Sequence, residues 1–338
     1  MTIGVIGAGA WGTALAQMLS GGESDSGVLI WAYEAEVAEA INARHANPLY
    51  LPGVPLNPNI RATCDLADFA DLAIVLAVTP AQVLGQVLGQ LRAALPHAPR
   101  DLVLCSKGIE AGTGRLMNDV ARAACPDSAI AVLSGPTFAH EVAHGLPTAV
   151  TLACSGGEAQ WDRIAPAIAR PAFRPYYSDD VTGAEIGGAI KNVLAIACGL
   201  IDGLGLGQNA RAALIARGMA EMLRFGTALG AKPETLSGLC GMGDLVLTCT
   251  STSSRNFSLG KALAQLEGGK GLGAGALMAD RRTVAEGAHT APVLAGLAQE
   301  RSIAMPITAG VNAILEGADP RDVVATLLAR PLTAERED

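Results

Sequence analysis

The stretch TIGVIGAGAWGTALA, residues 2–16, decides the fold of the N-terminal half of the chain. Within it, Gly7, Gly9 and Gly12 form the pattern GxGxxG directly after the apolar run Ile3–Ile6 and at the start of a helical pattern. Gly7 permits a tight turn, Gly9 lets the backbone approach a pyrophosphate, and Gly12 lets helix and strand pack closely. The first turn of the helix offers free N–H groups to an anion. In this context the pattern predicts a dinucleotide-binding turn rather than an ordinary Gly-rich turn.

The end of the second predicted strand, Val28–Trp31, bears on which dinucleotide is bound. An acid at that position binds the ribose 2′-hydroxyl of NAD, whereas a nearby Arg accepts the 2′-phosphate of NADP. Tyr33 is neither an acid nor an Arg, and Glu34 lies further along the chain. The residues therefore leave both NAD and NADP open as the cofactor.

Apolar runs alternate with helical patterns through the first half of the chain. The runs that predict strands are Ile3–Ile6, Val28–Trp31, Leu72–Val78, Leu102–Cys105, Ile130–Leu133, Ala149–Ala153 and Phe173–Tyr177. Helical patterns occupy Ala14–Leu19 and the segment from Thr79 to about Leu95. Continuous apolar strands joined by helices indicate a largely parallel sheet covered on both faces. We therefore predict an α/β fold whose first domain, residues 1–178, is a Rossmann-type, doubly wound, mostly parallel sheet that binds the dinucleotide.

Strand patterns give way to helical patterns after about Ser178. Thr182-Gly-Ala-Glu185 fits a capping box at the start of a helix that runs to about Ile201. Further helices are predicted at roughly Ala210–Ala228 and after Ser254, Thr290 and Pro306, with a mobile loop at Gly268–Gly275. We therefore predict a second, all-helical domain over residues 179–338 that binds the substrate.

The composition disfavours several classes of protein. The chain has 338 residues, of which 50% are hydrophobic and 17% charged, as is typical of a globular protein of about two domains. Its net charge of −8 disfavours binding to nucleic acid or to anionic membranes. The seven Cys residues have no CxxC spacing and mostly lie in apolar runs, which indicates reduced thiols in a cytoplasmic protein. No secretory signal is visible, and the apolar stretch Val193–Ile201 is about half as long as a bilayer-spanning helix.

Lys191 is the first candidate for a catalytic role. It is the only charged residue between Glu185 and Asp202, in a segment that is otherwise apolar. Desolvation lowers the pKa of such an amine towards neutrality, which suits it to act as a general acid or base. The alternative is a Lys whose amine reaches solvent along an apolar stem. The dinucleotide motif upstream favours the catalytic interpretation.

Two further segments carry groups suited to an anionic substrate. Lys107 follows a predicted strand, and ligands of doubly wound sheets bind outside the carboxyl ends of the strands. Asp244 precedes an apolar run, and Ser254-Arg255-Asn256 then combines a hydroxyl, a guanidinium and an amide where a helix begins. Such groups suit a phosphate, but an exposed loop Lys and an ordinary N-cap loop fit the same residues.

His140-Glu141-Val142-Ala143-His144 matches HExxH, the zinc-protease helix signature. We interpret the match as incidental. The predicted helix is short, because Pro136 lies near its start and Gly145 and Pro147 end it. No third ligand follows at metzincin spacing, although Glu158 stays a possible ligand on sequence alone. We therefore predict no metal site.

Together these segments resemble the bacterial NAD(P)-dependent sn-glycerol-3-phosphate dehydrogenase family. The resemblance extends from Ile3 to about Leu315. The segments that carry it are GVIGAGAWGTALA (4–16), NPLYLPG (47–53), SKGIE (106–110), SGPTFAHEVAHGLPTA (134–149), DDVTGAEIGGAIKNVLAIACG (179–199), GLGQNARAALIARG (205–218) and GMGDLVLTCTSTSSRN (241–256). In the family's form of the fourth segment only Glu141 of the HExxH match recurs.

The resemblance implies a role for each of several residues. Lys191 would be the proton acceptor. The cofactor would be NAD or NADP, bound by Gly7, Gly9, Ala10, Trp11, Gly12, Tyr33, Lys107, Ala139, Arg255, Val284 and Glu286. Glycerol phosphate would be surrounded by Lys107, Gly135, Thr137, Lys191, Asp244, Ser254, Arg255 and Asn256. The family usually has Arg or His where Tyr33 stands, which leaves the choice of cofactor open but not the reaction.

The resemblance also implies a homodimer in the cytoplasm that supplies glycerol 3-phosphate for phospholipid synthesis. Two other functions fit the residues less well. One is a related two-domain dehydrogenase acting on another small acid, for which the Ser254–Asn256 segment would not need to bind phosphate. The other is a non-catalytic dinucleotide sensor, which would need no buried Lys.

Overall fold

The computed structural model describes residues 2–21, 27–266, 285–332 and 334. Ten strands lie in the N-terminal half of the chain. They are β1 (Ile3–Ile6), β2 (Val28–Trp31), β3 (Ala46–Asn47), β4 (Leu51–Pro55), β5 (Ile60–Thr63), β6 (Ile74–Ala77), β7 (Asp101–Leu104), β8 (Ala129–Ser134), β9 (Thr148–Cys154) and β10 (Phe173–Ser178).

Eight of these strands form one sheet in the order β10-β9-β8-β7-β6-β1-β2-β5, and β3 and β4 form a separate antiparallel pair. All neighbours in the large sheet are parallel except β8 and β9. The strand order reverses direction between β1 and β6, which is where doubly wound sheets bind their ligands. The predicted fold class, a mostly parallel Rossmann-type sheet followed by helices, is confirmed.

The central strands form because their residues are apolar on both faces. Every residue of β1, β2, β6 and β7 is buried. Such strands are covered by helices on both sides, which accounts for their continuous apolar runs. The edge strand β5 (Ile60–Thr63) alternates between buried and exposed residues, so it lacks the continuous run that predicts the central strands.

The helices that accompany the sheet are α1 (Ala10–Ser20), α2 (Ala35–Arg44), α3 (Leu84–Ala94), α4 (Met117–Ala124), α5 (Ala139–Ala143) and α6 (Gly157–Ile168). Short 3₁₀ turns occupy Leu66–Phe69 and Ala81–Val83. The helix predicted from Thr79 therefore begins as a 3₁₀ turn and continues as α3.

The remaining helices are α7 (Val181–Gly203), α8 (Gly207–Ala228), α9 (Pro233–Leu236), α10 (Asp244–Cys249), α11 (Arg255–Ala264), α12 (Glu286–Glu300), α13 (Pro306–Leu315) and α14 (Pro320–Leu328). A single π-helical turn, Leu239–Gly243, leads into α10. No strand occurs beyond Ser178 in the described residues. The predicted loop Gly268–Gly275 lies outside the described residues.

Two predicted helix starts are wrong. Thr182 lies inside α7, and the carboxylate of Asp180 instead accepts a hydrogen bond from the backbone N–H of Gly183 at 2.8 Å. Asp and Thr side chains both accept hydrogen bonds from the free N–H groups of a first turn. The sequence alone therefore did not decide between Asp180 and Thr182 as the residue that caps α7. α12 begins at Glu286, four residues before the predicted start after Thr290.

The apolar stretch Val193–Ile201, judged from the sequence to be about half as long as a bilayer-spanning helix, lies within the longer helix α7. This helix has 23 residues and a mean hydropathy of 1.5, which by length and composition would allow it to cross a membrane. Its most apolar window is entirely buried inside the protein, as in the core helix of a water-soluble domain. The length and hydropathy of α7 are therefore weak evidence for a membrane span.

Two compact units divide the chain. The first comprises Met1–Ser106 and Leu116–Ala184, and the second comprises Lys107–Arg115 and Glu185–Asp338. The sequence-based domain boundary after Ser178 stays a prediction.

Candidate active site

The glycine-rich turn in the first unit has the geometry that its sequence predicts. Gly7 has φ +110°, a left-handed conformation that favours glycine. Its N–H donates to the carbonyl oxygen of Trp31 at 3.0 Å, which ties the turn to the end of β2. A Cβ on Gly12 would lie 1.8 Å from the carbonyl oxygen of Gly7, so helix α1 crosses the turn in contact with its backbone.

The N-terminus of α1 is open to a ligand. Gly9 caps the helix without a side-chain hydrogen bond, and a Cβ built on Gly9 would meet nothing within 4 Å. Ala10 and Trp11 are the first residues of the helix. Thr79, which follows β6 on the other side of the strand-order reversal, has a buried hydroxyl with no hydrogen-bond partner among the described residues. Free N–H groups, open space and an unsatisfied hydroxyl together fit the pyrophosphate of a dinucleotide.

Tyr33 lies just beyond the end of β2. Its ring is 81% exposed and meets the ring of Trp31 edge-on, with 6.3 Å between the ring centroids. The next residue, Glu34, accepts a hydrogen bond from the hydroxyl of Tyr50 at 2.7 Å. Tyr50 belongs to the NPLYLPG segment, to which sequence reasoning assigned no role. The acidic group at the end of β2 is therefore Glu34.

Gly135, Thr137 and Ala139 lie between β8 and the first residue of α5. A Cβ on Gly135 would lie 2.9 Å from the Cα of Val150, so only glycine allows this backbone to pack against β9. The hydroxyl of Thr137 donates to the carbonyl oxygen of Gly135 at 3.4 Å. The hydroxyl of Thr148 donates to the carbonyl oxygen of Pro136 at 3.0 Å and holds the same loop from the β9 side.

The HExxH residues lie on α5, which has only five residues, and on the residue after it. The rings of His140 and His144 have their centroids 4.2 Å apart, and His144 Nδ1 is 2.8 Å from the carbonyl oxygen of His140. Across the described ranges, no three His, Cys, Asp or Glu side chains form a group that could hold a metal ion.

A buried cluster in the second unit joins the two Lys residues singled out from the sequence. The carboxylate of Asp244, whose side chain is 0% exposed, accepts from Lys191 Nζ at 2.9 Å and from Lys107 Nζ at 2.6 Å. Lys191 Nζ also donates to the hydroxyl of Thr248 at 2.8 Å. That hydroxyl in turn donates to Asp244 at 3.2 Å. Two ammonium groups therefore share one carboxylate.

Electrostatics in this cluster favour a titratable Lys191. Burial lowers its pKa, the charge of Asp244 raises it, and Lys107 lowers it again, so that the pKa of Lys191 is about 8. Burial alone would raise the pKa of Asp244, but the two ammonium groups hold it below its usual value. Asp244 thus stays ionised, whereas roughly a tenth of Lys191 is neutral at pH 7.

Close backbone packing brings the cluster together. A Cβ on Gly187, one turn before Lys191 on α7, would lie 2.6 Å from the carbonyl oxygen of Cys240 in the π-helical turn. A Cβ on Gly241 would lie 1.8 Å from the carbonyl oxygen of Leu236. Because both positions are glycine, the π-helical turn packs directly on α7 and α10 begins with Asp244 beside Lys191.

A second buried group of polar residues lies next to Lys191 along the chain. Asn256 donates through Nδ2 to the side-chain oxygen of Asn192 at 3.0 Å and accepts from the N–H of Gly287 at 2.9 Å. Ser254 accepts from the N–H of Phe257 at 3.2 Å and so caps α11. The hydroxyl of Ser254 therefore acts as an ordinary helix N-cap, which is the alternative that the sequence left open.

Arg255 is the first residue of α11. The residue as a whole is exposed, but burial of its guanidinium lowers the pKa of that group. The carboxylate of Glu286, the first residue of α12, attracts it electrostatically. That Arg255 and Glu286 belong to one cofactor site stays a prediction. Val284 lies outside the described residues.

The predicted site residues that the structure describes divide between the two units. The first unit contains Gly7, Gly9, Ala10, Trp11, Gly12, Tyr33, Gly135, Thr137 and Ala139, and the second contains Lys107, Lys191, Asp244, Ser254, Arg255, Asn256 and Glu286. Sequence reasoning missed Thr248 and Asn192. Thr248 lies four residues after Asp244, the spacing of neighbours on one helix face, which would have identified it had α10 been predicted as a helix.

Comparison with known proteins decides the family. Residues 2–160 match the N-terminus of NAD-dependent glycerol-3-phosphate dehydrogenase, and residues 180–325 match its C-terminus. The chain belongs to this family. A family member from Erythrobacter litoralis, named as an NAD(P)+ glycerol-3-phosphate dehydrogenase, is 69% identical over 335 residues, which cover 99% of this chain and 98% of that protein. The resemblance drawn from the sequence is confirmed.

Other relatives agree. A protein from Novosphingobium aromaticivorans with the same name is 69% identical over 98% of both chains. The crystal structure of a glycerol-3-phosphate dehydrogenase from Coxiella burnetii has a TM-score of 0.90 at 38% identity and covers 97% of this chain and 99% of that one. A ketopantoate reductase from Ralstonia eutropha, with a TM-score of 0.58 at 16% identity, shares the fold alone.

Proposed function

We propose that the chain catalyses the reversible oxidation of sn-glycerol 3-phosphate to dihydroxyacetone phosphate with NAD or NADP. The observation that carries the proposal is the buried amine of Lys191, which is hydrogen-bonded to Asp244 and Thr248. An alcohol dehydrogenation needs a group that takes the hydroxyl proton in the oxidation and returns it in the reduction of the ketone. An amine with a pKa of about 8 meets that need.

The glycine-rich turn and the open start of α1 suit the pyrophosphate of the cofactor, with Ala10 and Trp11 beside it and Tyr33 at the ribose end. From the family resemblance, Lys107, Ala139, Arg255, Val284 and Glu286 are proposed as further cofactor-binding residues. When bound, the nicotinamide accepts a hydride from C2 of the alcohol or supplies one to the ketone.

Lys191 moves the proton in this proposal. In the oxidation, its neutral Nζ accepts the proton of the C2 hydroxyl. In the reduction, its ammonium form returns a proton to the carbonyl oxygen. Asp244 orients the amine and balances its charge, since its carboxylate is within hydrogen-bond distance of both Lys191 and Lys107. Thr248 accepts the second hydrogen bond of the amine. With two positions on Nζ occupied, the position left for the substrate hydroxyl has a fixed direction.

The substrate phosphate is assigned to the polar residues of the second unit, Ser254, Arg255 and Asn256. From the family resemblance, Gly135 and Thr137 are proposed as further substrate-binding residues. Arg255 is exposed and cationic, and Asn256 is held in place by two hydrogen bonds. Lys107 would help to align the substrate. Binding the phosphate, which is remote from the reacting carbon, would position C2 and lower the barrier of the chemical step.

The experiment follows the oxidation of NADH and NADPH by the full chain with dihydroxyacetone phosphate, for wild type and Lys191→Ala. We expect turnover by wild type, a loss of about 10²–10⁴-fold in kcat for Lys191→Ala, and unchanged dinucleotide affinity by calorimetry. Lys232→Ala, at an exposed position before α9, is the matched control and should keep wild-type kcat. Near-wild-type kcat in Lys191→Ala with intact binding contradicts the role of Lys191, and absence of turnover by wild type contradicts the reaction.

The family also motivates proposals about the setting of the reaction. The chain would form a homodimer, act in the cytoplasm and supply glycerol 3-phosphate for phospholipid synthesis. Light scattering of the purified chain tests the first of these, since a molar mass of one chain would contradict it.

A further inference from the structure

The end of β2 is an acidic region. The sequence contains no Lys or Arg before Arg44, so the whole β1–α1–β2 segment lacks a basic side chain. Glu34 and Glu36 follow directly after β2, and both interact electrostatically with the hydroxyl of Tyr50. No Lys or Arg within the described ranges forms an ion pair with Glu34. A phosphate at this point would therefore meet the negative charge of Glu34, which no ion pair from the described residues compensates.

The side chain of Glu34 has a fixed direction. Its backbone caps α2, but its carboxylate makes no cap hydrogen bond. The carboxylate instead accepts from the hydroxyl of Tyr50 at 2.7 Å. This hydrogen bond, together with burial and the nearby carboxylates, raises the pKa of Tyr50 to about 12, so the hydroxyl remains a donor at physiological pH. Glu34 stays partly accessible while Tyr50 holds it.

A chain of hydrogen bonds connects this carboxylate to the glycine-rich turn. The N–H of Tyr50 donates to the side-chain oxygen of Asn47 at 3.1 Å. Asn47, which is 1% exposed, donates through Nδ2 to the carbonyl oxygen of Ala8 at 2.8 Å and to the hydroxyl of Thr13 at 2.9 Å. Ala8 lies between the first two glycines of the turn. Glu34 is therefore positioned with respect to the same turn that is suited to the pyrophosphate.

We propose that Glu34, positioned by Tyr50, selects NAD(H) over NADP(H) by accepting a hydrogen bond from the ribose 2′-hydroxyl and repelling a 2′-phosphate. This inference rests on the proposed function and deepens it, since the names of the relatives leave the two cofactors undivided. An acid near the end of the second strand is the group that recognises a free ribose hydroxyl in sheets of this type.

Charge determines the direction of the selection. A phosphate monoester carries about −1.5 to −2 charges at neutral pH. The carboxylate of Glu34 repels it, and Tyr33 offers a phenol where a 2′-phosphate needs a cation. For two groups this close in a solvated site, a preference on the order of tenfold for NADH is expected.

The test measures dissociation constants by titration calorimetry on the full chain, with NADH, NADPH, 5′-AMP and adenosine 2′,5′-bisphosphate as probes. The last two lack the nicotinamide, so their binding does not depend on turnover. Glu34→Gln removes the charge and keeps an acceptor for Tyr50. Tyr33→Arg supplies the missing cation. Glu39→Gln removes one exposed carboxylate on the same helix, α2, and is the matched control.

Wild type should bind NADH about tenfold more tightly than NADPH. Glu34→Gln should reduce that ratio several-fold, Tyr33→Arg should tighten NADPH about tenfold, and Glu39→Gln should leave the ratio unchanged. The two adenosine probes should follow the same order.

Tyr50→Phe tests the positioning role, because it removes the hydroxyl that orients Glu34 but no charge. We expect it to weaken NADH and to reduce the ratio of the two dissociation constants less than Glu34→Gln does. An unchanged ratio in Tyr50→Phe would show that Tyr50 does not position the carboxylate.

Two outcomes overturn the inference and separate it from the proposed function. If wild type binds NADPH as tightly as NADH and still turns over dihydroxyacetone phosphate, the selection by Glu34 is wrong and the reaction stands. If neither dinucleotide binds, both proposals fail. A wild-type preference for NADH that Glu34→Gln leaves intact would also refute the role of Glu34.

Discussion

Replacing Asp244 by Asn is the sharpest test of the buried cluster, because it removes a charge and keeps the shape of the side chain. Asp244 is the only carboxylate that accepts from both Lys191 and Lys107 in the described structure. Without it, Lys191 keeps the two influences that lower its pKa, burial and the neighbouring ammonium, and loses the largest influence that raises it, while the smaller effect of Cys249 remains. The pKa of Lys191 should therefore fall below about 8.

Coulomb's law gives the order of magnitude of this shift. At the 2.9 Å between Lys191 Nζ and the carboxylate oxygen, Coulomb's law gives about 1.4 kcal/mol even with the dielectric constant of water, and about 6 kcal/mol with an effective value near 20. The smaller figure corresponds to about one pKa unit. We therefore expect the pKa of Lys191 in Asp244→Asn to be about 7 or lower.

The assay is the pH dependence of kcat in both directions. Oxidation needs the neutral amine, so its rate rises with pH through the pKa of Lys191; reduction needs the ammonium form and falls through the same pKa. In Asp244→Asn both inflections should move to lower pH by one unit or more, and maximal kcat should also fall because the amine loses a positioning contact. Circular dichroism checks that the variant is folded.

Asp202→Asn is the matched control. Asp202 lies on α7, the same helix as Lys191, but away from the cluster, and its carboxylate forms an ion pair with Lys261 at 2.9 Å. Its pH profile should coincide with that of wild type. Inflections that stay at the wild-type pH in Asp244→Asn would refute the reasoning that Asp244 sets the protonation of Lys191.

Two further predictions concern stability. Gly12→Ala places a Cβ 1.8 Å from the carbonyl oxygen of Gly7 and should lower the free energy of unfolding by about 3 kcal/mol or more. A Cβ at Gly9 meets nothing within 4 Å, so Gly9→Ala should weaken NADH binding without lowering Tm. Equal melting temperatures for the two variants would contradict this prediction. Glu221 is 1% exposed, and its carboxylate accepts hydrogen bonds from two backbone N–H groups at the start of α13. Glu221→Ala should therefore lower the free energy of unfolding by about 2–4 kcal/mol, measured by thermal unfolding. Glu300 is exposed, and Glu300→Ala should leave the stability unchanged.

Local patterns were sufficient to predict the glycine-rich turn and the central strands that flank it. The strands around Gly7 have continuous apolar runs because both of their faces are buried, and the GxGxxG spacing states which backbone must turn and which must pack. The same patterns could not reveal the antiparallel pairing of β8 with β9, since both strands are apolar whichever direction they take. Nor could they reveal the hairpin of β3 and β4, which is short and partly exposed.

The sequence by itself singled out Lys191, Lys107 and Asp244 one by one. Lys191 was identified as a charged residue in an apolar helix, and the family resemblance gave all three a place in the site. Only the tertiary structure decided that Lys107 and Lys191 both donate to the carboxylate of Asp244, since these residues are 137 and 53 positions away from it along the chain. It also decided that the carboxylate of Glu34 has a fixed direction near the end of β2, because the hydroxyl of Tyr50 reaches it from 16 residues away. A pattern of side chains along one segment records how that segment is buried, whereas a hydrogen bond between distant segments depends on how their backbones pack.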